Sequence, residues 1–242
     1  MTSINLNEQV EQWLHARLSS FKIQSRPFIT LSYAQGWDGS ITTRRGETVN
    51  FSGIESMELT HQLRSLHDGI LVGIGTLLSD DPQLTVRQWS GANPQPIILD
   101  SQLRTPKTAK LCDHPDKKCW ILTVQPDAKS LGENFEILTV PRAEGNSQQV
   151  PLKVAMGLLR ERGIKSLMVE GGAEVITAFL KAGLVDALVL TVAPRLLGGY
   201  KAVGNLQADG LDNQLSIHPL YCAPAGKDLI VWGDLQYQGL TP

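Results

Sequence analysis

The chain has 242 residues, 42% of them hydrophobic and 19% charged, with a net charge of −2. That length can bury a sizeable core in one or two domains, and near-neutral charge without a sustained Lys/Arg stripe argues against a nucleic-acid footprint. No apolar run approaches the roughly 18–20 residues of a membrane span, the N-terminus lacks the basic start and apolar centre of a signal peptide, and the sparse cysteines (Cys112, Cys119, Cys222) suit a reducing cytoplasm.

Residues 5–21 carry Val10, Trp13, Leu14, Leu18 and Phe21 at three/four spacing, which predicts an amphipathic helix packed on the body or on a partner subunit. From Arg26 onward, short β-rich runs appear at 28–33, 70–73, 96–100, 119–124, 137–140, 167–170, 187–192 and 229–232. Helical patterns at 54–66, 152–162 and 174–182 lie between several of them. Such alternation predicts an α/β fold with a mainly parallel sheet covered on both faces. The loops at 89–96, 106–118 and 142–151 are too short to be linkers, and no repeat is present. The expected organisation is a helical extension over 1–25 and a single domain over 26–242. Cys112 and Cys119 bracket His114, but structural zinc usually needs four ligands at tight spacing, so a polar turn before a strand is the preferred reading.

Two segments carry chemistry. In the stretch 68–87 an apolar run meets Gly73 and Gly75 and is followed by a polar loop with Thr76, Asp80, Asp81 and Arg87. An apolar strand running into glycines and polar residues is how open α/β sheets build ligand sites at strand ends. In the second segment a β-run ends at Glu170, Gly171 and Gly172 turn the chain, and a helix starts near Ala173 and Glu174. Backbone N–H groups at such a helix start suit a phosphate or pyrophosphate; a plain strand–helix turn is the alternative. Singly, Arg64, Arg87, Asp80 and Asp81 read as surface or turn residues; together they gather arginines, carboxylates and glycine turns at strand ends.

Several absences narrow the chemistry further. Leu78 stands where a dinucleotide fingerprint needs its third glycine, and neither a P-loop nor a Gly-x-Ser-x-Gly elbow occurs. The histidines form no metal-spaced pair, so no metal is expected.

In order, the segments Thr30 to Gly39, Leu63-Arg64, Asp68 to Thr76, Asp80 to Arg87, Pro96 to Ser101, Val169 to Gly172, Leu184 to Asp186 and Ala193 to Gly198 resemble the reductase family of riboflavin biosynthesis. The resemblance covers about residues 26–233. It implies a dihydrofolate-reductase-like three-layer fold and NADPH-dependent reduction of a ribosylamino-pyrimidine 5′-phosphate at C1′ of the ribosyl group. By position, Thr48, Arg64, Leu84, Arg87 and Glu170 would contact substrate, the arginines through its phosphate. Ala34, Asn50, Gly75, Thr76, Asp80, Ser101 and the turn Gly171, Gly172, Ala173, Glu174 would contact NADPH. Asp80 is the candidate catalytic residue near the reacting centre.

The family is often fused behind a zinc deaminase, whose His-x-Glu and Pro-Cys-x-x-Cys do not occur in this chain. The resemblance is therefore to the stand-alone form, a cytoplasmic homodimer that takes the 2,5-diamino-pyrimidinone substrate, with the 5-amino-uracil form still open. Gly36-Trp37 stands where the family usually has Ser-Leu, and Asn50 where fused enzymes often carry Trp. These departures keep two alternatives in view: a same-fold reductase of another pterin-like heterocycle, and a catalytically silent nucleotide-binding sensor.

Overall fold

The computed structural model describes residues 5–50, 52–125, 131–142, 148–206 and 215–237. The strands are β1 (Phe28–Gly36), β2 (Ser40–Thr42), β3 (Gly69–Gly73), β4 (Gln95–Leu99), β5 (Cys119–Thr123), β6 (Phe135–Thr139), β7 (Ser166–Val169), β8 (Ala187–Ala193), β9 (Tyr200–Lys201), β10 (Leu215–Ala225) and β11 (Asp228–Tyr237). The helices are α1 (Leu6–Ser20), α2 (Ile54–Ser65), α3 (Ile74–Asp80), α4 (Leu152–Glu161) and α5 (Ala173–Lys181). Among the described residues nine strands form one sheet in the order β10-β11-β8-β1-β7-β3-β4-β5-β6, while β2 and β9 pair separately. Every neighbouring pair from β8 to β6 is parallel; β11 joins β8 antiparallel and β10 joins β11 antiparallel.

Successive strand residues point to opposite faces, and both faces are apolar. On one face Ile29, Leu31, Leu71, Ile97, Leu167 and Val169 share a core with α4 and α5. On the other, Phe28, Met168, Ala187 and Val189 pack with Val10, Trp13 and Leu14 of α1 and with Leu59 and Leu63 of α2. Further along that face Ile70, Val72, Ile98 and Ile121 meet Ile74 and Leu77 of α3. This is the three-layer α/β architecture, a mainly parallel sheet covered on both faces, that the alternation of strands and helices predicts.

Helix α1 starts in a capping box, Asn5 accepting from the Glu8 N–H while the Glu8 carboxylate accepts from the Asn5 N–H. Of its two expected placements it takes the body. Its apolar face is buried, and Trp13 Nε1 and Arg17 Nε both donate to Asp234 Oδ1, at 3.1 and 2.8 Å.

The short strands β2 and β9 fall where the sequence reading has none, and two larger features also depart from it. Residues after Gly73 do not form a polar loop: Ile74 and Leu77 turn inward, so Ile74–Asp80 closes into helix α3, with Asp81 as its left-handed C-cap (φ 42°). Strand β10 was hidden by Pro219 and Pro224, residues that a sheet tolerates at an edge, and β10 is an edge strand. Of the loop expected over 142–151, residues 143–147 lie outside the described residues.

Strands β3 and β7 are neighbours, yet the chain leaves β3 into α3 on one face and β7 into α5 on the other. Where connections diverge in this way, a crevice opens at the carboxyl ends of the strands.

Candidate functional site

The floor of the crevice is made by close backbone approach. A Cβ on Gly73 would lie 2.6 Å from Val175 Cγ2, and one on Gly171 would lie 2.7 Å from Val175 Cβ. The first turn of α5 therefore seats Val175 against two glycines at adjacent strand ends. Helix α5 has Gly172 as N-cap, and among the described residues no side chain caps it. A Cβ on Gly172 would stand 3.3 Å from Thr76 Oγ1, so the starts of α3 and α5 adjoin. Among the described residues a Cβ on Gly75 would have nothing within 4 Å, so this glycine leaves open space and not the close approach expected of it.

One wall is charged. Arg64, in the last turn of α2, donates from Nε to Glu170 Oε1 at 2.7 Å and from Nη2 to Glu170 Oε2 at 2.8 Å. Its Nη1 donates to the Thr85 carbonyl at 3.0 Å. Burial disfavours the Arg64 charge, but the facing carboxylate outweighs it and holds the guanidinium pKa above its ordinary value. Three of the five N–H donors of Arg64 are thus engaged within the protein. Arg87 is exposed, with Nη1 donating to Thr85 Oγ1 at 2.7 Å. Of the two arginines expected to pair with a phosphate, Arg87 is the exposed one.

The segment after β2 links α5 to α3. Arg45 pairs with Glu174 at the start of α5, and Thr48 Oγ1 donates to Asp80 Oδ1 at the end of α3. Asp80 also accepts from Ser79 Oγ at 2.6 Å. Asn50 is exposed two residues beyond Thr48. Ala34 lies half-buried near the end of β1. Ser101 follows β4, and its Oγ accepts from the Val150 N–H at 3.2 Å. Leu84 has its side chain in the core and a left-handed backbone (φ 55°), so any ligand contact it makes is through its main chain.

A family model described as the RibD C-terminal domain matches residues 27–231. The chain belongs to that family. The riboflavin biosynthesis protein RibD of Aquifex aeolicus is 31% identical over 231 residues, covering 95% of this chain and 64% of that protein. A 2,5-diamino-6-ribosylamino-4(3H)-pyrimidinone 5′-phosphate reductase of Debaryomyces hansenii is 35% identical over 198 residues, 72% of this chain and 77% of its own length. The solved riboflavin biosynthesis reductase Rib7 of Saccharomyces cerevisiae superposes with a TM-score of 0.76 at 26% identity, covering 95% of this chain and all of that one.

Gly36, where the resemblance leads to the expectation of Ser, has a local reason. A Cβ there would meet the Arg195 carbonyl at 2.8 Å and Asp38 Oδ1 at 2.9 Å. Asp38 is a hub: its carboxylate accepts from Ser40 Oγ, Lys201 Nζ and the N–H groups of Leu197 and Gly198. The hydrogen bonds from Ser40 and Lys201 hold its pKa far below the usual carboxylate range. Trp37, next to this hub, is 63% exposed.

The sequence reading missed His61, Thr85 and Lys201. His61 lies three residues before Arg64 on α2, a spacing that puts both on one helix face and was the available signal. Its Nδ1 accepts the Arg87 N–H at 3.1 Å. Burial, with the nearby charges of Arg64 and Arg87, pushes its pKa down to about 4.

Proposed function

We propose that the chain is an NADPH-dependent reductase that converts the ribosylamino side chain of a pyrimidine 5′-phosphate to ribitylamino in riboflavin biosynthesis, acting on the 2,5-diamino-pyrimidinone form. The observation that carries the reading is one crevice with a wall for each ligand: an uncapped helix start behind two glycines on one side, and the Arg64–Glu170 pair with an exposed Arg87 on the other. The Debaryomyces relative bears the name of the diamino-pyrimidinone enzyme, and the chain covers 77% of it. That favours the diamino form over the uracil.

The residues present fit a nicotinamide dinucleotide. The start of α5 suits a pyrophosphate, and the space beside Gly75 is free to receive it. Ala34 and Ser101 end β1 and β4, strands three inter-strand steps apart across β7 and β3, roughly 14 Å. An extended cofactor can lie along these strand ends. Arg45 and Glu174 flank its path, as do Thr48 and Asp80.

A bound reduced nicotinamide supplies the hydride; the protein's part is to bind, orient and exclude water. Glu170, turned into a fixed orientation by Arg64, accepts hydrogen bonds from the pyrimidine's amino or ring N–H groups. Arg87 pairs with the 5′-phosphate. Asp80, held by Thr48 and Ser79, is the polar group assigned to the reacting centre. The free cysteines suit a reducing, cytoplasmic setting, and a homodimer is the expected assembly, testable by sizing with light scattering.

The deciding experiment incubates the purified chain with NADPH and the diamino-pyrimidinone phosphate. Loss of reduced-nicotinamide absorbance, with a product heavier by two hydrogens, is the expected result. No oxidation with either the diamino or the uracil form overturns the reading. Turnover of another pterin-like heterocycle instead would establish the alternative that Gly36-Trp37 favours.

A further inference from the structure

The segment from Asp81 to Arg87 belongs to no helix or strand, and it contains two left-handed residues, Asp81 at φ 42° and Leu84 at φ 55°. Asp visits that region comparatively readily at a helix C-cap, but a leucine holds it only where surroundings enforce it. Here side chains and neighbouring backbone supply the enforcement. Asp81 Oδ1 accepts from the Lys110 N–H at 2.9 Å, Arg64 Nη1 donates to the Thr85 carbonyl at 3.0 Å, and Asn93 Oδ1 accepts from the Val86 N–H at 2.7 Å. The last grip is His61, whose Nδ1 accepts from the Arg87 N–H at 3.1 Å.

His61 is wholly buried, and among the described residues no acceptor lies within hydrogen-bond geometry of its Nε2. With Nδ1 acting as acceptor, the ring is the Nε2–H tautomer, so a buried donor is left unsatisfied. An apolar side chain would avoid that cost. What only the imidazole supplies at this place is an acceptor for the Arg87 main chain. One helix turn away, Arg64 holds Glu170 with two donors and Thr85 with a third. The last two turns of α2 thus grip the two ends of the charged wall, Glu170 directly and Arg87 through its backbone.

We propose that His61 is a positioning residue that, together with Arg64, fixes the span between Glu170 and Arg87, and so sets the length of substrate accepted between a heterocycle and its phosphate. The inference rests on the assignment of Arg87 to the substrate phosphate made above. His61 touches neither ligand; it acts through Arg87.

Two substitutions separate this role from simple packing. The Asn side chain of His61→Asn puts an oxygen where Nδ1 stands, whereas His61→Leu fills space without an acceptor. In the full-length chain, His61→Leu raises KM for the pyrimidine phosphate about tenfold, with KM for NADPH and kcat shifting less than about twofold, and His61→Asn restores most of the loss. In an Arg87→Ala background, His61→Leu raises KM no further. An unchanged KM in His61→Leu, or an equal rise in the Arg87→Ala background, overturns the proposal. Should His61→Leu not fold, His61→Gln replaces it, since its carbonyl reaches the Nε2 position and leaves the Arg87 N–H unserved. If His61→Gln then binds substrate as tightly as His61→Asn, the proposal also fails. The two readings fail separately: an inert wild-type chain overturns the assigned reaction, while an Arg87 amide whose hydrogen exchange is no faster in the acceptor-less variant overturns the role of His61.

Discussion

Arg64 and Glu170 meet through two parallel hydrogen bonds at the carboxyl edge of the sheet, where the side chains keep only 9% and 18% of their exposure. A pair of this geometry orients both partners, but its net contribution to stability is small, because desolvation offsets most of the attraction. The asymmetry is what makes it testable. Arg64→Met strands the Glu170 carboxylate in the wall and is expected to destabilise the fold by about 3 kcal/mol. Arg64→Met combined with Glu170→Leu should recover to within about 1 kcal/mol of wild type, since apolar replacements of such pairs are often neutral. Urea unfolding of the three proteins measures both figures. Equal losses in the single and double variants would show that the pair's charge balance does not matter.

The second prediction concerns the crevice floor. Gly171→Ala puts a methyl 2.7 Å from Val175 Cβ and Cγ1, and a β-branched residue in the first turn of a helix cannot swing clear. The start of α5 must shift, at about 1–3 kcal/mol, and KM for the reduced cofactor should rise with it. Val175→Ala removes the obstructing methyls, so the double variant Gly171→Ala/Val175→Ala should regain part of both losses. Thermal unfolding and cofactor titration together check this. A double variant no better than the sum of the singles would place the strain elsewhere.

How far these relationships could be read from the chain depends on their range. The parallel strands were legible because burial on both faces leaves unbroken apolar runs, as at 70–73 and 167–169. The strand-end glycines and Glu170 were legible as local punctuation. Helix α3 was not: Gly75, Ser79 and Asp80 look like loop residues, and only the docking of Ile74 and Leu77 on the sheet makes them helical. The partnership of Arg64 with Glu170 spans 106 residues, and that of His61 with Arg87 spans 26. No local pattern encodes such pairings, because tertiary packing creates them. The charge of Arg64 alone suggests a phosphate partner, and its hydrogen bonds to Glu170 and Thr85 appear only in the folded chain.

The third prediction is a pH dependence. His67 is buried, its Nδ1 donating to the Leu63 carbonyl at 2.7 Å and its Nε2 accepting from Thr30 Oγ1 at 2.8 Å. Burial pushes its pKa down to about 4 from an ordinary 6.5. Between those values the unfolded chain binds a proton that the folded ring refuses, so acidification favours unfolding. Above pH 6.5 the effect vanishes, and between pH 6.5 and 4 it accumulates to about 3 kcal/mol. His61 contributes with the same sign. His67→Gln, which cannot titrate, should lower stability at neutral pH but flatten the slope of stability against pH across that window. A variant with the wild-type slope would exonerate His67.

The last prediction separates the two halves of the Gly36-Trp37 departure. Gly36→Ser would bring its Cβ to 2.8 Å from the Arg195 carbonyl and 2.9 Å from Asp38 Oδ1. Neither neighbour can yield cheaply, since the Trp37 N–H donates to that same carbonyl at 2.7 Å and Asp38 anchors the N–H groups of Leu197 and Gly198. The serine variant should therefore lose about 1–3 kcal/mol and accelerate proteolysis within 195–199. Trp37 is different, because its ring faces solvent and little packing depends on it. Trp37→Leu should change unfolding free energy by less than about 0.5 kcal/mol. If the ring is a stacking surface at the crevice mouth, the same substitution raises KM for the pyrimidine or for the cofactor by roughly three- to tenfold. Steady-state kinetics with each ligand varied in turn decides the matter. Unchanged constants for both would make the Trp37 ring idle surface, and would leave the close packing of Gly36 on 195–198 as the part of this departure that shapes the site.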